Sequence, residues 1–299
     1  MTNLSQPRLS IALKTYPHTA GIKEGRLHDP RVSLDIQEVE PIHRAFAPMA
    51  REQAFDVSEM AIVTYLQAKA YGKPLVLFPA VVAARFQQGC LIRRTDRPFD
   101  VTGLRGRRIG VRAYTQTTGM WIRAILSGTY GVDLQSIEWV TFEPAHLQEY
   151  EDPAWVTRAP KGADMLEMLR DGTLDAAIYG NDLPDDPTFS PVIADAAQAD
   201  RDWYATHRYV PINHMVVMRS DIAHENPEAY RAVYALLKRG KEAAPPRADG
   251  IDRYPIGIDA LTGPMREILA FCDEQRLLPA PITVEALFAE SRALLDGLA

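Results

Sequence analysis

Leu104-Arg105-Gly106-Arg107-Arg108-Ile109-Gly110-Val111 opens a new strand in the middle of the chain, and its reading decides the fold. The polar loop Tyr114-Thr115-Gln116-Thr117-Thr118-Gly119 follows it, and Met120 to Ser127 then reads as a helix. Ile137 to Phe142 is a further strand. Met165, Leu166, Met168 and Leu169 recur at helical spacing, and Gly172 supplies the stop that ends such a helix. Asp175-Ala176-Ala177-Ile178-Tyr179 reads as the next strand, running into Gly180-Asn181-Asp182. The stretch Leu183 to Pro191 holds three prolines and reads as a loop.

The same rhythm runs through the first hundred residues. Leu9, Ile11 and Leu13 alternate with Ser10, Ala12 and Lys14, the period of a strand. The turn-rich loop Tyr16-Pro17-His18 follows. Val32, Leu34 and Ile36 form a second alternating strand, and Pro41 opens a helical stretch from Ile42 to Gln53. Phe55-Asp56-Val57 is short and strand-like. Ser58 and Glu59 after it suit the start of a helix, Met60 to Ala70. Pro74 to Val82 is a buried-strand run bounded by prolines. Further on, Pro211 to Met218 begins another strand, and Asn226-Pro227-Glu228 caps a helix with Tyr230, Val233, Tyr234 and Leu237 on one face. Ala244-Pro245-Pro246-Arg247 reads as a linker. Gly263 to Gln275 and Thr283 to Leu298 read as helices. Strands alternating with helices imply α/β units with mostly parallel sheets, whose ligands bind at the carboxyl ends of the strands.

Composition narrows the function. The 299 residues are 24% charged and 46% hydrophobic, ordinary globular values. Thirty-three basic against 39 acidic side chains give a net charge of −6 with no polybasic run, which argues against nucleic-acid and membrane partners. Cys90 and Cys272 are the two cysteines, without a CxxC or zinc spacing. The opening residues lack the uninterrupted apolar stretch of a signal peptide, and no apolar run of about 18 residues could span a bilayer. A cytoplasmic protein is expected. No HExxH, GxGxxG, Walker or GxSxG pattern occurs, so no protein metal site, nucleotide site or nucleophilic serine is expected.

Several segments resemble a known architecture. Asp56 to Ala61 is similar to the strand-to-helix element in the first lobe of type 2 periplasmic binding proteins. Leu104 to Val111 resembles the opening of their second lobe, and Leu166 to Ala177 its helix-to-strand return. The implied fold is α/β and two-lobed, with a ligand cleft between the lobes. Residues 1–98 plus 206–299 would form lobe 1, and 99–205 lobe 2. The chain resembles the 4,5-dihydroxyphthalate decarboxylase family more closely. The matching pieces are Glu38–Met49, Phe55–Ala61, Ala84–Arg94, Gly110–Leu126 and Pro211–Val217, from about Leu9 to Glu242. The resemblance implies a cofactor-free carboxy-lyase of phthalate catabolism that converts 4,5-dihydroxyphthalate to protocatechuate and CO2. The catechol unit of such a substrate could itself chelate a metal, which leaves metal assistance open. Its partner is a small aromatic dicarboxylate, and homo-oligomer formation is left open.

Such a reaction needs a proton donor at the ring carbon, cationic or hydrogen-bonding groups for the retained carboxylate, and a group that favours phenolate character. Among seven histidines, His214 is the leading acid candidate and His18 a second. Glu59 suits removal of a proton from a ring hydroxyl; its alternative reading is a favourable charge at a helix start. Arg85, Arg112 and Arg123 suit a planar carboxylate. Ser58, Thr117, Thr118, Asn181 and Asn213 offer donors near strand ends, and Tyr16 and Tyr114 suit ring stacking or hydroxyl contacts. Two rivals remain: a solute-binding protein for an aromatic or dicarboxylic acid, and a decarboxylase of a related hydroxylated aromatic acid.

Overall fold

The computed structural model describes residues 6–296. The chain runs β1 (Arg8–Ala12), α1 (Ala20–Lys23), β2 (Ser33–Ile36), α2 (Phe46–Glu52), β3 (Val57–Ala61), α3 (Ile62–Ala70) and β4 (Leu75–Ala84). It continues through β5 (Leu91–Arg94), β6 (Arg108–Val111), α4 (Thr117–Gly128), β7 (Glu138–Thr141), β8 (Val156–Arg158), α5 (Met165–Asp171), β9 (Ala176–Ile178), β10 (Phe189–Pro191) and α6 (Ala196–His207). It ends with β11 (Ile212–Arg219), α7 (Ser220–Glu225), α8 (Pro227–Ala243), α9 (Ile258–Glu274) and α10 (Val284–Leu295). The final helix was expected to reach Leu298; residues 297–298 lie outside the described residues.

The chain divides into two units. Unit 1 comprises Met1–Ala84, Ile212–Ala270 and Leu278–Ala299, and unit 2 comprises Arg85–Pro211 with Phe271–Leu277. The sequence placed the borders near 98/99 and 205/206. The strand β5 accounts for the first difference: Leu91, Ile92 and Arg93 pair with Ile178, Ala177 and Ala176 of β9, so the ladder ties this stretch to unit 2.

Unit 1 holds a five-stranded sheet in the order β2-β1-β3-β11-β4. β1 runs parallel to β2 and β3, whereas β11 is antiparallel to both β3 and β4. Unit 2 holds a six-stranded sheet, β10-β5-β9-β6-β7-β8, parallel from β9 to β8 and antiparallel at β10 and β5. Both sheets are therefore mixed: the unit 2 sheet is mostly parallel, as expected, whereas in unit 1 parallel and antiparallel pairings are balanced. Alternating sequence periodicity cannot reveal direction, because a strand has the same period of two whichever way it runs against its neighbour.

Local signals explain most elements. Asn226 accepts the Ala229 amide at 3.1 Å and Pro227 occupies the first turn, so α8 starts where its cap dictates. Gly172 takes a φ of 84° at the end of α5, a conformation open to glycine without Cβ strain. The apolar face of α8 lies on the sheet of unit 1: Tyr230 stacks on Phe78 at 4.2 Å, and its hydroxyl donates to the Leu77 carbonyl at 2.6 Å. Burying each such large apolar side chain contributes roughly 1.5–3 kcal/mol. In unit 2, Trp121 of α4 anchors a cluster with Trp203, Tyr209 and Phe271.

The main departure from the sequence reading is at β3. Ser58 and Glu59 were expected to start a helix. They instead lie inside a central strand whose five residues are all buried, and α3 begins at Ile62. Flanked by β1 and β11, this strand carries no polar outward face, and so no alternation to read. The proline-rich stretch expected as a loop contains the short edge strand β10, and α6 and β8 had not been anticipated.

Candidate active site

The displaced residue is the centre of the site in unit 1. Glu59 is wholly buried in β3. Across the antiparallel ladder Val216 lies opposite Glu59, and His214 lies opposite Ala61. His214 is two residues from Val216, so it shares that face and meets Glu59 on the diagonal. Its Nδ1 bonds Glu59 Oε1 at 2.7 Å. β1 is the parallel neighbour on the other side, and the chain leaving its carboxyl end passes the same carboxylate. There the Lys14 amide donates to Oε2 at 3.0 Å and the Tyr16 hydroxyl to Oε1 at 2.8 Å. Phe46 of α2 meets the imidazole edge-on at 5.0 Å.

The charge logic follows from these contacts. Burial alone drives the Glu59 carboxyl up. The hydrogen bond and charge of His214, the Lys14 amide and the Tyr16 hydroxyl together outweigh it, and hold the group below the usual carboxylate range. Glu59 is therefore an ionised, fully enclosed acceptor. It fixes the imidazole with the Nδ1 proton directed at Oε1. Nε2 has no hydrogen-bond partner among the described residues, and the His214 side chain is 15% exposed. The pair thus presents one nitrogen able to give or take a proton.

Other candidates of unit 1 take different places. His18 is buried, its Nε2 bonding the Val82 carbonyl at 3.0 Å, between the rings of Tyr16 and Tyr254. Burial lowers its pKa, leaving a neutral ring already engaged, which is poor material for a proton donor. Ser58 donates internally to the Glu59 carbonyl at 2.7 Å and caps no helix. Tyr16, expected against the substrate ring, spends its hydroxyl on Glu59. Asn213 is buried in β11 beside His214.

Unit 2 carries a second constellation. β6 and β9 are parallel neighbours, so the start of α4 and the Tyr179–Asp182 segment emerge at the same sheet end. Thr117, Thr118 and Gly119, expected in a loop, form the first turn of α4. Arg85, just past β4, donates to the Thr118 hydroxyl at 2.6 Å and to the Asn181 side-chain carbonyl. Its Nε is buried without a partner, and among the described residues it has no carboxylate partner. A Cβ at Gly180 would lie 3.0 Å from its Nη2, so glycine there admits the guanidinium. Arg112 makes a loose 3.5 Å pair with the exposed Glu143. Arg123 and Tyr114 belong to the core. The fully buried guanidinium lies 3.9 Å over the Tyr114 ring and donates to Gln275 at 2.7 Å and to the Tyr114 carbonyl at 2.6 Å. Neither is available to a ligand in this arrangement.

A depression of about 360 Å³ in unit 2 is lined by Asp100, Tyr130, Asp195 and Asp202 among others. It contains none of the candidate residues, and its acidic rim repels a dicarboxylate. Among the described residues no group of three or more His, Cys, Asp or Glu is arranged to hold a metal ion. No described helix is long and apolar enough to cross a membrane.

Comparisons with known proteins bear on the family and the fold. The chain is 27% identical over 265 residues to a 4,5-dihydroxyphthalate decarboxylase of Comamonas testosteroni, covering 81% of this chain and 77% of that one. It is 29% identical over 224 residues to a 4,5-dihydroxyphthalate decarboxylase of Pseudomonas putida, covering 69% and 84%. No family model matches the chain. Among solved structures, the periplasmic aliphatic sulphonate binding protein of Escherichia coli superposes with a TM-score of 0.51 at 15% identity, over 98% of this chain and 84% of that one. The expected periplasmic-binding-protein-like α/β fold is thereby borne out, and so is the resemblance to the decarboxylase family.

Proposed function

We propose that this chain, a relative of the 4,5-dihydroxyphthalate decarboxylases, is a carboxy-lyase that converts 4,5-dihydroxyphthalate to protocatechuate and CO2. The buried Glu59–His214 pair is the observation that carries the mechanism. In the substrate each hydroxyl is para to a carboxylate and feeds electrons to the carbon bearing it. His214, protonated and held by Glu59, delivers the Nε2 proton to that carbon. A C–H bond forms, the ring carbon becomes tetrahedral, and the C–C bond to the carboxylate breaks. Its electron pair restores the aromatic ring, and the carboxylate departs as CO2. Solvent then reprotonates the imidazole through its exposed edge.

Glu59 acts on the donor rather than on the substrate: enclosed by protein donors, it stabilises the imidazolium and fixes its orientation. This replaces the role of base toward a ring hydroxyl. On unit 2 we assign carboxylate binding to Arg85, whose guanidinium donates to the neutral oxygens of Thr118 and Asn181 and lies beside the Cys90 thiol. Arg85→Gln is expected to raise KM by about tenfold or more; an unchanged KM removes the assignment. Two buried, free cysteines and enzymes as relatives support a cytoplasmic location.

Purified protein mixed with 4,5-dihydroxyphthalate should release CO2 in stoichiometry with substrate lost. His214→Ala should lose about 10²–10⁴ in kcat with little change in KM. Binding without turnover by the native protein contradicts the reading and favours a solute-binding protein.

A further inference from the structure

Oε1 of Glu59 carries two bonds at once: His214 Nδ1 at 2.7 Å and the Tyr16 hydroxyl at 2.8 Å. The Tyr16 ring is itself held. It stacks parallel to His18 with centroids 5.3 Å apart, and the Lys14 ammonium lies 5.7 Å from its centroid. Its backbone amide is bonded to the Thr19 hydroxyl at 2.8 Å. The phenol is therefore fixed at the ring and at the hydroxyl.

We propose that Tyr16 is a positioning residue of the reaction, fixing through its hydroxyl the carboxylate oxygen that orients the imidazole of His214. This rests on the decarboxylase reading above. Tyr16 acts through Glu59 and needs no contact with substrate. The groups that face the carboxylate are the Lys14 amide, Tyr16 from the segment after β1, and His214 from β11. His18 feels the Glu59 charge at longer range, and Lys241 of α8 acts on His18. Phe46 of α2 adds no charge. Each donor favours the ionised carboxylate over the protonated one. Removing the hydroxyl takes away one of them and leaves the ring, its stack on His18 and the fold in place.

Tyr16→Phe is expected to move the protonation of Glu59 upward by about one pH unit. The acid limb of the kcat profile shifts with it, while KM is unchanged. A merely structural role would lower the melting temperature without moving this titration. The test reads the carboxylic-acid C=O stretch by infrared difference spectroscopy across the acid range, with Glu59→Gln identifying the band. Appearance of the band at higher pH in Tyr16→Phe supports the inference. A titration coincident with that of the native protein overturns it. If the band moves but the native protein releases no CO2, the decarboxylase reading fails and the Tyr16–Glu59 coupling stands.

Discussion

Replacing Glu59 by glutamine probes the reasoning at its most specific point. Three donors converge on the carboxylate: Lys14 N–H at 3.0 Å on Oε2, with Tyr16 O–H at 2.8 Å and His214 Nδ1–H at 2.7 Å on Oε1. A carboxylate accepts all three; an amide has one acceptor oxygen and one donor end. If the NH2 faced Lys14, two buried donors would oppose each other at a cost of roughly 1–3 kcal/mol. Turned toward Tyr16 and His214, the NH2 meets a hydroxyl that can rotate and a ring nitrogen that can accept. The second arrangement costs less, so the variant folds, but the imidazole must then carry its proton on Nε2 and loses the anion that stabilises its charged form. In the proposed mechanism this removes the acid that feeds the ring carbon. We expect kcat to fall by about 10²–10⁴ while KM stays near native. Steady-state CO2 release, read beside a thermal melt, makes the measurement. A variant that melts like the native protein and keeps its kcat refutes the role given to the pair.

Three further outcomes follow. Asp29 receives hydrogen bonds from Arg31 that hold its carboxyl down to about 2. The folded value lies below the unfolded one, so this stabilisation is present above about pH 4 and is lost as pH falls through the folded value. Asp29→Asn should cost about 1 kcal/mol in urea titrations at neutral pH, and the gap should shrink steadily as pH falls from about 4 towards 2; a gap of constant size over that range contradicts this. Burial pushes the Cys272 thiol up to about 12 and raises Cys90 as well. Both should resist an aromatic disulfide reagent until the chain unfolds, and rapid labelling of native protein refutes their enclosure. A Cβ at Gly240 would stand 2.3 Å from the His18 carbonyl oxygen. Gly240→Ala should therefore force α8 away from the segment that carries Tyr16, costing about 3 kcal/mol; an unaltered melt shows that the contact yields freely.

The fold was legible where one face of an element meets solvent. Alternation at Leu9–Lys14, the Asn226-Pro227 cap and the Gly172 stop each state their element in a few residues. β3 was not legible because all five of its residues are buried, so a run of polar and apolar residues without a period looked like a helix start. The same burial hid the role of Glu59. A glutamate in the middle of an apolar strand is the signal that marks it, since such a charge persists only when partners enclose it. Arg85 was readable as a residue type after a strand, and His214 as a histidine near the start of one. Their partners were not: Tyr16, Thr118 and Asn181 are distant in sequence and are joined to them by sheet order alone. Arg123 misled for the opposite reason: position near a loop promised exposure, while Tyr114 and Trp139 enclose the guanidinium.

Turnover of 4,5-dihydroxyphthalate in D2O addresses the account at its root. If the ring carbon takes a solvent-exchangeable proton as its carboxylate departs, proton NMR and mass spectrometry should find protocatechuate with one deuterium, at the vacated carbon, and an equivalent of CO2. Recovery of unchanged substrate, or of product without ring deuterium, contradicts it.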